Sequence, residues 1–248
     1  MAWCRRSCRG LVALSLALAG SLAQAGPYSA MYVFGDSLSD SGNDFIITGG
    51  ILPPSAYYTD GTHSGRFTNG LNYADRLAAD FGLTLTPSQA GGNNYAYGGA
   101  RSDYARADLA AFGAQSFNAQ IGQYLSGAGN AADPNALYVL WIGANDISDA
   151  ISQSLMAGGD PTPIQNEIGQ TVGDIVTALV TLESLGAKHF VIGNSPDLSL
   201  TPSVRGLASI FGAGVQTLAK GASMAFNSAL SFYVPANTFA TSDVTMFD

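Results

Sequence analysis

The chain has 248 residues, with 10 basic and 18 acidic side chains and a formal net charge of −8. Only 11% of the residues are charged, and small and apolar residues dominate. An acidic chain of this kind is a poor partner for the phosphate backbone of nucleic acids, so a nucleic-acid-binding function is not expected.

The first 25 residues have the pattern of a secretory signal peptide. Arg5, Arg6 and Arg9 form a basic start, the apolar stretch "LVALSLALAG" follows, and small residues before Gly26 predict cleavage near Ala25. The apolar stretch is shorter than the roughly 20 residues that a membrane span needs, and no later segment is long enough either. We therefore expect an exported, soluble chain without a transmembrane segment, located in the periplasm, the medium or at the cell surface.

The predicted mature chain, residues 26–248, has no cysteine, because Cys4 and Cys8 both lie in the signal peptide. Packing rather than disulfides must hold it together. Loss of three arginines takes the net charge from −8 to −11. The length suits one hydrophobic core, and no linker-like stretch interrupts it, so we predict one domain. Two distant histidines and scattered carboxylates give no spacing for a metal site.

Short apolar runs alternate along the chain with longer segments of helical periodicity. Helices are predicted at 70–81, 107–126, 164–186 and 206–232. Strands are predicted at 30–35, 93–99, 136–143, 188–194 and 238–248. Strands separated by helices pair in parallel through right-handed crossovers. The sequence therefore predicts an α/β fold, a three-layer α/β/α sandwich with a mainly parallel five-stranded sheet, as in flavodoxin-like proteins.

Glycines and small polar residues follow the predicted strands, at the edge of a parallel sheet where ligands bind. These stretches are Gly35-Asp36-Ser37, Gly98-Gly99, Gly143-Ala144-Asn145-Asp146 and Asn194-Ser195-Pro196-Asp197. Any one of them alone is typical of a strand-to-helix turn. Several together favour a functional site, and the long loop at 51–70 is predicted to border it.

At these residues the chain resembles the GDSL esterases and lipases, also called the SGNH hydrolase superfamily. "FGDSLSDSGN" resembles the first block of the family, "NNYAYGGARSD" its glycine block and "WIGANDI" its G-x-N-D block. "GRFTNG", "GAKHFVIGNSPDLSLTP" and "DVTMFD" add to the resemblance, which runs from about residue 28 to the last residue. It implies hydrolysis of a carboxylic ester, in a small molecule or a lipid, without a cofactor.

The resemblance makes Ser37 the nucleophile, and a hydroxyl just beyond the first strand suits attack on an ester carbonyl. The alternative, a helix-capping serine, is weakened because Ser39 or Asp40 can cap instead. Asp36 is expected to support the turn.

The oxyanion formed on attack needs donors about 3 Å away. The resemblance supplies the backbone N–H of Ser37, the backbone N–H of Gly99, with Gly98 as the alternative, and the side-chain amide of Asn145. Asp146 is expected to orient the Asn145 loop, with a helix N-cap as an equally good interpretation.

In this family the catalytic base and its carboxylate come from a D-x-x-H block near the C-terminus, after the fifth strand. The chain up to Asp248 is expected to contain no such block anywhere, so both groups are expected to be absent and the hydrolase domain incomplete. We expect little or no esterase activity and an uncovered apolar patch beside the fifth strand. His189 opens the fourth strand at the opposite end of the sheet, and His63 is better explained as an exposed loop residue than as the base.

Two other functions stay open at this stage. A catalytically impaired protein that binds acyl or glycan groups in the old site is the main alternative. A flavodoxin-like cofactor binder is disfavoured, because the first strand-to-helix turn has no phosphate-cradling glycine pattern.

Overall fold

Four parallel strands form the sheet in the computed structural model, which describes residues 26–247. They are β1 (Met31–Gly35), β2 (Leu137–Trp141), β3 (His189–Gly193) and β4 (Asp243–Phe247), in the order β1-β2-β3-β4. Every neighbouring pair is parallel. The predicted α/β architecture is confirmed, but the sheet has four strands rather than five. The predicted signal peptide lies outside the described residues.

Eight α-helices accompany the sheet within the described residues. They are α1 (Asn43–Ile47), α2 (Tyr73–Asp80), α3 (Ala107–Ala110), α4 (Phe117–Gly127), α5 (Ala144–Met156), α6 (Thr162–Ser184), α7 (Pro202–Phe211) and α8 (Gly214–Asn237). Among these, α2 and α6 correspond to the helices predicted at 70–81 and 164–186. None of the helices in residues 26–247 is both long and apolar enough to cross a membrane.

Two predicted helices are interrupted. The segment 107–126 divides into α3 and α4, and Ser116 caps α4 by accepting a hydrogen bond from the Ala119 N–H at 3.3 Å. The segment 206–232 divides at Gly212, whose φ of 96° ends α7. Helix α5 was not predicted, because it begins directly after the glycine turn that follows β2.

The second predicted strand, residues 93–99, runs beside β1 without becoming a regular strand. Val33 exchanges two backbone hydrogen bonds with it, of 3.0 and 2.8 Å. At Gly35 the side-chain amide of Gln120 joins this pairing: Oε1 accepts from the Gly35 N–H at 2.8 Å, and the Gly35 carbonyl accepts from Nε2 at 2.9 Å and from the Tyr97 N–H at 3.2 Å. A long-range side chain therefore takes the place of one backbone bond of the predicted strand, at the Gly35 N–H.

The two faces of the sheet are covered unequally. One face, including Phe34, Tyr138 and Phe190, is buried under α4, α5, α6 and α8 in the larger apolar cluster. On the other face α2 packs over β1 and β2 through Ala74 and its neighbours. On β4 the side chains of this second face are exposed, with Phe247 at 42%.

Candidate active site

The turn after β1 presents Ser37 at the carboxyl end of the sheet. Asp36 organises this turn: its backbone carbonyl accepts from the N–H groups of Ser39 and Asp40, each at 3.0 Å, and its Oδ1 accepts from the Leu38 N–H at 2.9 Å. Ser37 is partly exposed. Its own N–H has no hydrogen-bond acceptor among the described residues. The turn thus holds a hydroxyl and an unused backbone donor at one position.

The second turn separates the two glycines that the sequence left as alternatives. The Gly98 N–H donates to Oδ2 of Asp40 at 3.3 Å, so it is already engaged. The Gly99 N–H has no acceptor within residues 26–247. Gly99 has a φ of 71°, and a Cβ there would lie 2.6 Å from Cδ of Arg106. The positive φ favours glycine, whereas the Arg106 side chain could move to make room for a Cβ.

Asn145 is the second residue of α5 and connects the ends of three chain segments. Its Nδ2 donates to the Ala100 carbonyl at 3.0 Å and to Oδ2 of Asp36 at 3.4 Å. Ala100 follows Gly99, and Asp36 precedes Ser37. The structure therefore brings together the three residues predicted to form the oxyanion hole.

Asparagine side chains that the sequence analysis passed over join the two turns. Nδ2 of Asn43 donates to the carbonyls of Asn94 and Ala96 at 2.8 and 2.9 Å. Nδ2 of Asn94 donates in return to the Ser39 carbonyl at 2.7 Å. Both asparagines are fully buried. Asn43 is the last residue of the "FGDSLSDSGN" motif, and its place in that motif is the sequence feature that could have identified it as a site residue.

Buried carboxyls surround the site. Burial raises the pKa of Asp36 to about 7. Burial also raises the pKa of Asp146, whose Oδ1 accepts from the Ser102 N–H at 2.7 Å. Asp146 does not cap α5, because Gly143 occupies that position without a side-chain cap. Asp146 instead holds the segment that follows Gly99.

The prediction that the chain has no D-x-x-H spacing is wrong, because the 248 residues contain one, Asp60-Gly61-Thr62-His63. Nδ1 of His63 lies 2.8 Å from Oδ2 of Asp60, the pairing of an oriented histidine. Backbone N–H groups of Thr62 and His63 hold Oδ1 of Asp60 at 2.8 and 2.7 Å. The pair is partly exposed, and neither residue lines the groove that contains Ser37. His189 starts β3 beside Asp243, at the other end of the sheet.

A groove of about 300 Å³ adjoins Ser37. Residues from the turn after β1, the 51–70 loop, the start of α2 with the two residues before it, and the ends of β2 and β4 contribute to it. It is lined by Ser37, Leu38, Phe67, Thr68, Leu71, Asn72, Tyr73, Trp141 and Phe247.

The family model described as "GDSL-like Lipase/Acylhydrolase" matches residues 31–244. "Lipase 1" of Photorhabdus luminescens is 33% identical over 195 residues, covering 79% of this chain and 26% of that protein. "Phosphatidylcholine-sterol acyltransferase" of Aeromonas hydrophila is 29% identical, covering 79% and 52%. "Esterase EstA" of Pseudomonas aeruginosa is 31% identical, covering 83% and 33%. The chain thus spans about a quarter to a half of these relatives, and it belongs to the GDSL-like lipase/acylhydrolase family.

Proposed function

We propose that the chain is a secreted carboxylic-ester hydrolase that acts through Ser37. The N–H groups of Ser37 and Gly99 are its oxyanion donors, and the amide of Asn145 joins them by giving up its long 3.4 Å bond to Asp36 when substrate binds. The observation that carries the proposal is the pair of backbone donors at Ser37 and Gly99, each without an acceptor in the described part of the chain, at the sheet edge where ligands bind.

In the proposed reaction Oγ of Ser37 bonds to the carbonyl carbon and the carbonyl oxygen becomes the oxyanion. The Ser37 proton passes to a base and then to the departing alkoxide, which leaves as an alcohol. Water attacks the acyl-serine ester, releases the carboxylic acid and returns the proton to Ser37. Each step needs the base, because a serine hydroxyl is a weak nucleophile at neutral pH.

Within residues 26–247, neither His63 nor His189 lines the groove that holds Ser37. In serine hydrolases the loss of the base lowers kcat on the order of a million-fold, and the oxyanion hole leaves a residual rate. We therefore expect the 248-residue chain to hydrolyse esters slowly. The same observation favours a second candidate, a protein that binds acyl or glycan groups without turning them over.

Hydrolysis of p-nitrophenyl butyrate by the chain tests the proposal. We expect a slow rate that Ser37→Ala abolishes and that Ser126→Ala, an exposed serine on α4, leaves unchanged. A rate that Ser37→Ala does not alter would refute the assignment of Ser37 as the nucleophile. Saturable binding of an acyl compound that survives Ser37→Ala, with no hydrolysis, would favour the second candidate.

The secreted location has its own test. The chain is expressed in a bacterium, and the N-terminus of the exported protein is sequenced. We expect it to begin close to Gly26, because small residues end at Ala25. Retention of Met1 in the mature protein would contradict a cleaved signal peptide.

A further inference from the structure

Arg101, two residues after Gly99, binds the backbone of the glycine turn through its side chain. Its Nη1 donates to the Gly99 carbonyl. Its Nε donates to Oδ2 of Asp149 at 2.8 Å, and its Nη2 lies 2.7 Å from the same oxygen. An arginine presents these donors in a rigid planar fork. One guanidinium therefore holds a backbone carbonyl and a carboxylate in a fixed relation.

Asp149 anchors this bridge on α5, the helix that also carries Asn145. The two residues are four positions apart, so they lie on the same face of the helix. Asn145 holds the Ala100 carbonyl directly at 3.0 Å, and Asp149 holds the Gly99 carbonyl through Arg101. Two consecutive carbonyls of the glycine turn are thus tied to one helix face. The positions of Gly99 and Asn145 are therefore coupled.

The bridge between Arg101 and Asp149 is shielded from solvent by Tyr104. The Arg101 side chain is 15% exposed, and the centroid of the Tyr104 ring lies 5.5 Å from its Cζ. The Tyr104 hydroxyl donates to Oδ2 of Asp149 at 3.0 Å, and the Arg101 N–H donates to the Tyr104 carbonyl at 2.9 Å. Partly buried ion pairs are screened by salt less than exposed ones. We therefore expect the bridge to persist at physiological ionic strength.

Gly99 needs such a bridge, because glycine is the residue with the greatest backbone freedom. The preceding Gly98 N–H is fixed by Asp40, but the Gly99 N–H has to stay without a protein acceptor if it is to serve the oxyanion. The carbonyl is then the group by which the protein can hold Gly99. We propose that Arg101 is a positioning residue, which holds Gly99 by its carbonyl and so keeps the Gly99 N–H in place for the oxyanion. This inference rests on the proposed function.

The rate of p-nitrophenyl butyrate hydrolysis per folded molecule tests the proposal. Loss of one oxyanion-hole donor lowers kcat by about a hundredfold to a thousandfold. We expect Arg101→Met, which keeps the length and removes the fork, to lower kcat more than tenfold. KM should change less than twofold, because the affected bond forms in the transition state. Arg101→Lys should lower kcat at least about fivefold, because a single ammonium group does not reproduce the fork.

Arg66 provides the matched control. Its Nε and Nη2 donate to the Asp75 carboxylate at 2.8 and 3.0 Å, and its Nη1 donates to the Ser64 carbonyl at 2.9 Å. Its side chain is 19% exposed, and it does not line the groove with Ser37. Arg66→Met should therefore lower the urea midpoint about as much as Arg101→Met does, while kcat changes less than twofold. Equal losses of kcat in the two variants would mean that Arg101 acts only on stability, and would overturn the proposal.

Asp149→Asn tests the same bridge if Arg101→Met fails to fold. The amide keeps the shape of the side chain but weakens the ion pair, so kcat should fall severalfold with KM nearly unchanged. An unchanged kcat in Asp149→Asn and in folded Arg101→Lys would overturn the proposal. A higher KM with an unchanged kcat would also overturn it, because the bridge would then act on substrate binding.

The two proposals fail in different ways. Hydrolysis that Ser37→Ala does not alter would refute the proposed function and with it the role of Arg101. Hydrolysis that depends on Ser37 but not on Arg101 would refute the positioning role and retain the enzyme.

Discussion

The backbone N–H of Gly98 donates to Oδ2 of Asp40 across 3.3 Å, and this bond joins the Ser37 turn to the Gly99 turn. The same carboxylate accepts from the N–H groups of Gly42 and Asn43, each at 2.7 Å. Asp40 is fully buried. One side chain thus fixes the relative position of the two proposed backbone donors.

Replacement of Asp40 by alanine should destabilise the fold by at least about 3 kcal/mol. It would leave several buried N–H groups without an acceptor, and each such group costs about 1–3 kcal/mol. Asp80→Ala, at the exposed end of α2, is the control and should change the free energy of unfolding by less than about 0.5 kcal/mol. Urea unfolding measures the free energy of unfolding of both variants. Similar small losses in the two variants would show that Asp40 does not hold the turns.

The free energy of unfolding should fall as the pH rises from about 4 to 8. Burial raises the pKa of Asp36 from 3.8 to about 7 and also raises the pKa of Asp44, so the folded chain binds these protons more tightly than the unfolded chain. Each group contributes a slope of at most about 1.4 kcal/mol per pH unit.

Urea unfolding at several pH values checks this slope. Asp36→Asn should make it shallower, because the amide cannot titrate. Asp108→Asn should leave it unchanged, because Arg106 lowers the pKa of Asp108 and takes its titration below this range. Stability that rises between pH 5 and pH 8 would contradict the prediction.

Substitution of Gly193 by alanine should displace Trp141. The added Cβ would lie 2.4 Å from the indole ring, and overpacking of this kind costs about 1–3 kcal/mol. We expect a lower urea midpoint and a shifted tryptophan emission. Gly206→Ala in α7 meets no atom within 4 Å and should leave the emission unchanged. An unshifted emission in Gly193→Ala would mean that the ring is not held against β3.

His63→Ala should leave ester hydrolysis within about twofold of the unmodified chain. Although Asp60 orients the ring, His63 does not line the groove with Ser37, and a general base must reach the proton that it removes. Initial rates of p-nitrophenyl butyrate hydrolysis test this prediction, with Ser37→Ala as the reference. A loss as large as that of Ser37→Ala would make Asp60 and His63 the catalytic pair.

The sequence predicted the elements that depend on local pattern. The apolar runs that became β1, β2 and β3 lie where expected, as do α2 and α6. Residues 93–99 had a strand-like pattern, but the Gln120 side chain, 85 positions from Gly35, competes for the backbone of β1. A hydrogen bond between residues so far apart leaves no signal in the local sequence.

The predicted site residues also meet in space, since Asn145 contacts the segments that contain Ser37 and Gly99. Asn43 and Asn94 were missed because they act through backbone bonds between segments about 50 positions apart. The Asp60 and His63 spacing was visible in the sequence, but His63 was interpreted as an exposed loop residue and its Asp60 partner was missed.

The hydrogen bonds between Gln120 and Gly35 also determine where a further strand can pair with this sheet. An extended segment cannot dock along β1, since the backbone groups of Val33 and Gly35 on that side are already bonded. On the far side of β4, no strand among the described residues occupies the edge. Unpaired edges accept additional strands from other chains. Within residues 26–247, therefore, the β1 edge is closed to a further strand, whereas the outer edge of β4 is not paired with another strand.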